Sequence, residues 1–216
     1  MNDFCTDIGY HSLNKYGEEL CGDQVEVVEK EDGSVIVVLA DGLGSGVKAN
    51  ILATLTTKIL GTMIAQGVAI EECIQTMADT LPVCATCGVA YATFTIIYLR
   101  PGRAEAEVIQ YDNPPVILLR NGKHCEFPRT VLQLQGKSIS HSLVKLCEND
   151  TFIMMSDGCV HAGIGQELNF GWQRQDIISF LEPRWQAGIT AKTYNAMLLE
   201  QCNRLYAGKP GDDTTS

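Results

Sequence analysis

The sequence predicts an α+β protein with mostly antiparallel strands, and three observations carry that prediction. Strand-like and helix-like apolar patterns occur in blocks: strands, a helix pair, strands, a second helix pair. Turn signals at Asp32-Gly33, Pro101-Gly102 and Asn121-Gly122 join consecutive strand segments, as hairpins require. The helix pair that follows the first strands leaves no room for the alternating βαβ order of a doubly wound sheet.

Taken in order, Phe4 to Leu13 and Gln24 to Glu29 read as strands, and Asp32-Gly33 turns the chain into a third over Ser34 to Ala40. Leu52, Leu55, Ile59 and Met63 recur at helical spacing and predict a helix from Ser45 to Gln66. After Gly67, Ile70, Cys73, Ile74 and Met77 predict a second, ending near Leu81. The apolar faces of both are expected to be buried on the sheet. Beyond Pro82 the segments GVAYATFTIIYL, AEAEVIQYD, VILLR and DTFIMMSDG are rich in β-branched and aromatic residues and read as consecutive strands. Asn121 to Leu134 and Ala162 to Asn169 read as small inserts. Helices over Trp172 to Leu181, with Ile177, Ile178 and Leu181 on one face, and over Thr190 to Tyr206, carrying Met197, Leu198 and Leu205, follow.

Composition narrows the function. A chain of 216 residues with 45% hydrophobic content can build a real core, and it shows no repeat or low-complexity tract, so it is read as one domain. A net charge of -10 opposes nucleic acid and anionic membrane as partners, since both attract basic faces. No apolar run is long enough to span a bilayer. Nine scattered cysteines without a secretory leader read as a reduced, cytoplasmic protein. Cys84 and Cys87 have metal or redox spacing, but no second pair completes a zinc tetrahedron, and a structural role is expected.

The stretch VIVVLADGLGSGVKAN, Val35 to Asn50, poses the main question: a phosphate cradle, or a metal site around Asp41. A dinucleotide fold needs a strand after the glycine-led helix, with an acid to hold the ribose, and here a second helix stands in its place. GLGSG is GxGxG rather than GxGxxG, and no GxxxxGK[ST] occurs. The metal reading draws on other acids. Asp23 stands before a strand in CGDQ, Asp41 ends one in LADG, Asp157 ends another in MMSDG, and Asp212 and Asp213 follow the last helix in GDDTT. Each alone is also a common turn or cap residue.

In combination and in this order, GD, ADGLGSG, SDG and GDDTT resemble the metal-dependent serine/threonine phosphatases of the protein phosphatase 2C (PP2C, PPM) type. YDNPPVILLRNGK is similar to a segment of its SpoIIE-like bacterial branch. The resemblance implies a four-layer αββα sandwich of two antiparallel sheets flanked by helix pairs, with two Mn²⁺ or Mg²⁺ ions at one end. By carry-over, Asp41 bridges the ions and the Gly42 carbonyl binds one of them. Asp157 and Asp212 hold the second ion, and Asp23 touches the first directly or through water. Asp213 stands where many relatives have Asn, as a neighbour of the ligands.

The implied activity is hydrolysis of phosphoserine or phosphothreonine by attack of a water bridged between two metals, with Asp41, Asp157 and Asp212 as the catalytic set. Its implied partner is a phosphorylated regulatory protein in bacterial signalling. The residue types suit this, because hard divalent cations take oxygen ligands and a metal-activated water needs no protein nucleophile. No Ser/His/Asp or cysteine-phosphatase signature is present. Leu43, Gly44, Ser45 and Gly46 fill the region where many relatives carry a histidine, which leaves the general acid unassigned; no arginine stands out as a phosphate clamp, and Lys15, in the segment before GD, is a candidate anion contact. In relatives the Asp-Asp-x-Thr segment leads into a last apolar strand, whereas this sequence stops at Ser216, so either that strand is lacking or the sequence is cut there. The alternative from another class is a catalytically weak phosphatase-fold module that binds a phosphorylated regulatory protein.

Overall fold

The computed structural model describes residues 4–80, 92–134 and 137–216. Its strands are β1 (Ser12–Leu13), β2 (Asp23–Glu29), β3 (Val35–Asp41), β4 (Thr93–Arg100), β5 (Glu105–Tyr111), β6 (Ile117–Arg120), β7 (Lys123–His124), β8 (Thr130–Leu134), β9 (Lys137–Lys145), β10 (Asp150–Ile153) and β11 (Thr214–Thr215). The helices are α1 (Gly46–Ala65), α2 (Ile70–Thr80), α3 (Asp157–His161), α4 (Arg174–Leu181) and α5 (Ala191–Leu205).

One sheet has six strands in the order β2-β3-β4-β5-β9-β8, each pair antiparallel. A second has three, β10-β6-β7, and β1 pairs with β11. The period of two along each strand sorts side chains into layers. Ile36, Val38 and Ala40 of β3 join Phe94 and Ile96 of β4 and Ile109 of β5 in a core with Ala53, Leu60, Ile74 and Met77 of the first helix pair. Ile97, Val108 and Val144 project from the opposite face and pack on Val116 and Leu118. Ile117 and Leu119, the alternate residues of β6, point away again, into a core with Ile177, Ile178, Leu198 and Leu199 of α4 and α5. Helix pair, sheet, sheet and helix pair thus stack as four layers, held by large aliphatic side chains whose full burial contributes roughly 1.5–3 kcal/mol each.

Several expectations are corrected. Only Ser12–Leu13 of the segment Phe4 to Leu13 is strand. His11 before it exchanges backbone hydrogen bonds with Ser216 at 3.0 and 3.3 Å, and the described residues ahead of it form no strand but pack beside α5, where Asp7 Oδ2 accepts the Ala191 N–H at 2.6 Å. Leu55, expected in the core, is 42% exposed beside Val47 and Ile51, because α1 turns its smaller residues Ala49, Ala53, Thr56 and Thr57 to the interior. The supposed insert Asn121 to Leu134 contains β7 and β8, and β9 was not expected at all. β8 and β9 form the hairpin at one edge of the large sheet. The Cys84/Cys87 pair, Leu81 and the first residues of GVAYATFTIIYL lie outside the described residues. Among the described residues no helix is long and apolar enough to cross a membrane.

Candidate metal centre

The first two acids are placed by a strand ladder. Every residue of β3 from Val35 to Ala40 is buried, and the strand ends at the rim with Asp41. β2 begins with Asp23, which is directly opposite Asp41 in the antiparallel register. The next pair along carries the hydrogen bond, Gly42 N–H to the Gly22 carbonyl at 3.1 Å. Asp23 and Asp41 therefore occupy a non-hydrogen-bonded pair, the kind that brings side chains closest. Gly42 must be glycine for a packing reason: a Cβ there would lie 2.1 Å from the Ala49 carbonyl oxygen of α1.

The other acids arrive from the second sheet's side. Asp157 opens α3 directly after β10, and Asp212 lies in the loop before β11. Three contacts clamp these loops together. Ser156 N–H donates to the Thr215 carbonyl at 2.9 Å, Thr215 N–H donates to Ser156 Oγ at 2.9 Å, and Tyr206 Oη donates to the Gly158 carbonyl at 2.7 Å. Gly158 permits this approach, since a Cβ there would lie 2.1 Å from the Asp213 carbonyl oxygen. β1 fixes the far side of the loop through its pairing with β11 and through Lys15 N–H, which donates to Asp213 Oδ1 at 3.0 Å.

The electrostatics are those of a cluster short of positive charge. Burial, then the nearby charges of Asp23, Asp157 and Asp212, push the Asp41 carboxyl up to about 9. Asp23 is only 2% exposed, and burial raises it to about 7. The hydroxyls of Ser156 and Thr215 stand near Asp23 and act in the other direction; Thr215 Oγ1 donates its proton to Ser12 Oγ, whereas Ser156 Oγ accepts the Thr215 N–H and keeps its own proton. Neither Asp23 oxygen makes a hydrogen bond among the described residues, and Asp213 Oδ2 is a third such buried atom. Asp212 is also raised, first by burial and then by Asp157, while Lys15 pulls it down. Unpaired buried carboxylates cost several kcal/mol each unless neutralised by a proton or a cation. An all-oxygen donor set with orphaned buried oxygens fits Mg²⁺ or Mn²⁺.

His161 was missed in the sequence. One turn of α3 beyond Asp157, it places a ring nitrogen so that it and carboxylate oxygens of Asp157 and Asp212 all lie within 4.8 Å of one another. The signal available was the four-residue spacing in DGCVH, which puts two side chains on one helical face. Asp157 and His161 are about half exposed, so this end of the cluster is open. A separate cavity of about 500 Å³, lined by residues including Val37, Leu39, Ile97, Leu99 and Phe152, contains none of the four acids.

The family model for stage II sporulation protein E (SpoIIE) matches residues 31–216. No curated protein sequence matches the chain. Among solved structures, the PP2C phosphatase domain with a fragment of the regulatory domain of SpoIIE from Bacillus subtilis superposes with a TM-score of 0.75 at 20% identity, over 96% of this chain and 59% of that one. This chain therefore spans less than two thirds of that structure. RsbX in complex with magnesium gives 0.63 at 21% identity, covering 95% of this chain and 90% of that one. A serine/threonine phosphatase of S. agalactiae gives 0.66 at 16% identity, covering 96% of each chain. At these identities the structures establish a shared PP2C fold.

Proposed function

The chain belongs to the SpoIIE family, and from that premise we propose that it is a metal-dependent serine/threonine phosphoprotein phosphatase, a phosphoric monoester hydrolase. The observation that carries this is the grouping of four acids at one rim: Asp41 faces Asp23 across the ladder and feels the charges of Asp157 and Asp212, which approach each other from α3 and the loop before β11, and both Asp23 oxygens are buried and unpaired. When bound, two Mn²⁺ or Mg²⁺ ions would supply Lewis acidity and a water made nucleophilic at neutral pH.

Asp41 would hold both ions from the end of β3 and the Gly42 carbonyl one of them, Asp23 would contact the first from β2 directly or through water, and Asp157 and Asp212 would hold the second. The rigid central ladder fixes the first pair, and the α3 to β11 clamp fixes the second. Lys15, whose charge reaches Asp212, is the cation available to meet a phosphate oxygen. Asp157 is half exposed, so a phosphate can arrive on a folded partner without threading into a deep pocket. A phosphorylated regulatory protein in bacterial signalling is the substrate this favours. Free thiols at Cys5, Cys21, Cys73, Cys125, Cys147, Cys159 and Cys202 agree with a reducing, cytoplasmic setting.

Hydrolysis of p-nitrophenyl phosphate with and without added Mn²⁺ tests the reading. Activity should depend on the metal and stop with a chelator, and Asp41→Ala should lower turnover by several orders of magnitude, the scale of losing a transition-state charge clamp. Metal-free activity that survives Asp41→Ala would overturn it. A phosphoprotein that binds but is never hydrolysed would support a binding module instead.

A further inference from the structure

The two-metal reading assigns carboxylates and a carbonyl; it gives no part to the one imidazole at this rim. We infer that His161 is a direct ligand of the second ion, completing a mixed oxygen and nitrogen site with Asp157 and Asp212 that prefers Mn²⁺ to Mg²⁺. The inference rests on the metal-dependent reading above and deepens it.

Three observations support it. The three side chains come from two elements, α3 and the loop before β11, yet their donor atoms lie within 4.8 Å of one another. Ligands on an ion with bonds of about 2.1 Å stand roughly 3 Å apart when adjacent and about 4.2 Å apart when opposite. Rotation of these half-exposed side chains would therefore close the set. Second, the ordinary explanation of the pair is weak. His161 Nδ1 and Asp157 Oδ2 are 3.7 Å apart, too far for a hydrogen bond, and both groups are nearly half exposed, where an ion pair contributes little. No hydrogen bond to a described residue accounts for the ring. Third, the same rim holds the buried, unpaired oxygens of Asp23, which is 2% exposed and lies within electrostatic reach of Asp157. That is a demand for cationic charge independent of His161.

Ligand chemistry then sets the selectivity. Imidazole nitrogen is a poor ligand for Mg²⁺, which holds to oxygen and water, and a good one for transition metals. Spacing of i and i+4 on one helix is the arrangement by which a helix offers two ligands to a single ion.

The test uses tag-free full-length protein and Mn²⁺ as the probe. Pulsed electron paramagnetic resonance of bound Mn²⁺ should show coupling to ¹⁴N in the wild type. In His161→Ala, checked for folding by circular dichroism, that coupling should vanish while Asp41-dependent Mn²⁺ binding persists. Calorimetric competition should show the preference for Mn²⁺ over Mg²⁺ falling by about tenfold or more. His161→Glu should regain affinity without the ¹⁴N coupling or the preference. Mn²⁺ bound with no ¹⁴N coupling, or coupling that survives His161→Ala, would overturn the inference while leaving the phosphatase reading intact. Failure of the wild type to bind Mn²⁺ at all would overturn both.

Discussion

Asp23 and Asp41 face each other directly across the β2 and β3 ladder, one pair away from the Gly42 to Gly22 hydrogen bond. Like charges at such a position repel at close range, and nothing in the ladder itself requires an acid on either strand. Further along, the same ladder pairs Val25 with Leu39 and Val27 with Val37, the choice that strand stability favours. The two acids thus sit where they weaken the sheet.

The first prediction concerns pH in the metal-free protein. In the fold Asp41 is raised to about 9 and Asp23 to about 7, each from an ordinary value of 3.8. Between those limits the folded state binds more protons than the unfolded chain, so stability falls as pH rises. The contribution is fully present below about pH 4 and is lost as pH climbs through the folded values. Thermal melts with chelator from pH 5 to 9 should therefore show a declining midpoint, with a shallower decline in Asp41→Asn. Saturating Mn²⁺ should reverse the slope, because the ion binds only the deprotonated carboxylates. A flat profile with chelator, the same in both proteins, would count against the buried acid pair.

Asp213 supplies a second prediction. It is 3% exposed, spends Oδ1 on the Lys15 N–H, leaves Oδ2 unpaired, and adds negative charge beside Asp23. Asn keeps the acceptor for Lys15 and replaces the unpaired oxygen with a neutral donor group. Asp213→Asn should stabilise the metal-free protein by about 1–3 kcal/mol, the scale of relieving one buried unsatisfied group. Urea unfolding in chelator measures it. A clear destabilisation would mean that the second oxygen has a partner of its own, and the assignment of Asp213 as a neighbour rather than a ligand would fail.

How much of this was legible in the sequence depends on which contacts define each element. β3 was legible because a central strand buried on both faces reads as the unbroken run VIVVLA. β9 was not, because its buried residues are split between its two faces, Ile139 toward α1 and α2 and Ser142 and Val144 toward the second sheet, and the buried serine breaks the apolar rhythm of the latter face. Phe4, Thr6 and Ile8 alternate like a strand, but they line the cavity between the sheets rather than a ladder, so their pattern records burial without pairing. α3 is five residues long, too short for any period to register. The acids could be ordered along the chain by motif. The approach of His161 to Asp212 could not, since the backbone clamp between Ser156 and Thr215, far apart in sequence, creates it.

The last prediction concerns what the site can recognise. The acid rim is open at Asp157 and His161, and the sizeable cavity lies elsewhere, lined by Val37, Leu39, Ile97 and Leu99, so few groups surround an arriving phosphate. On the proposed phosphatase reading, ions and Lys15 would grip phosphate oxygens, but they would not read the residue that carries the phosphate or orient its ester bond. Orientation must then come from contacts outside the rim, and a folded partner can supply these where a short peptide cannot. The exposed apolar side chains Leu43, Val47, Ile51 and Leu55 on and before α1 follow directly from the Asp41-Gly42 turn and provide one such surface. On a cognate phosphoprotein, kcat/KM should exceed that on its isolated phosphopeptide by orders of magnitude. Ile51→Glu should lower the protein rate and leave hydrolysis of p-nitrophenyl phosphate unchanged. Equal rates on protein and peptide would refute docking outright, and a preference for phosphotyrosine or a small ester would refute the substrate class. Loss of both activities in Ile51→Glu would assign that face to folding rather than recognition.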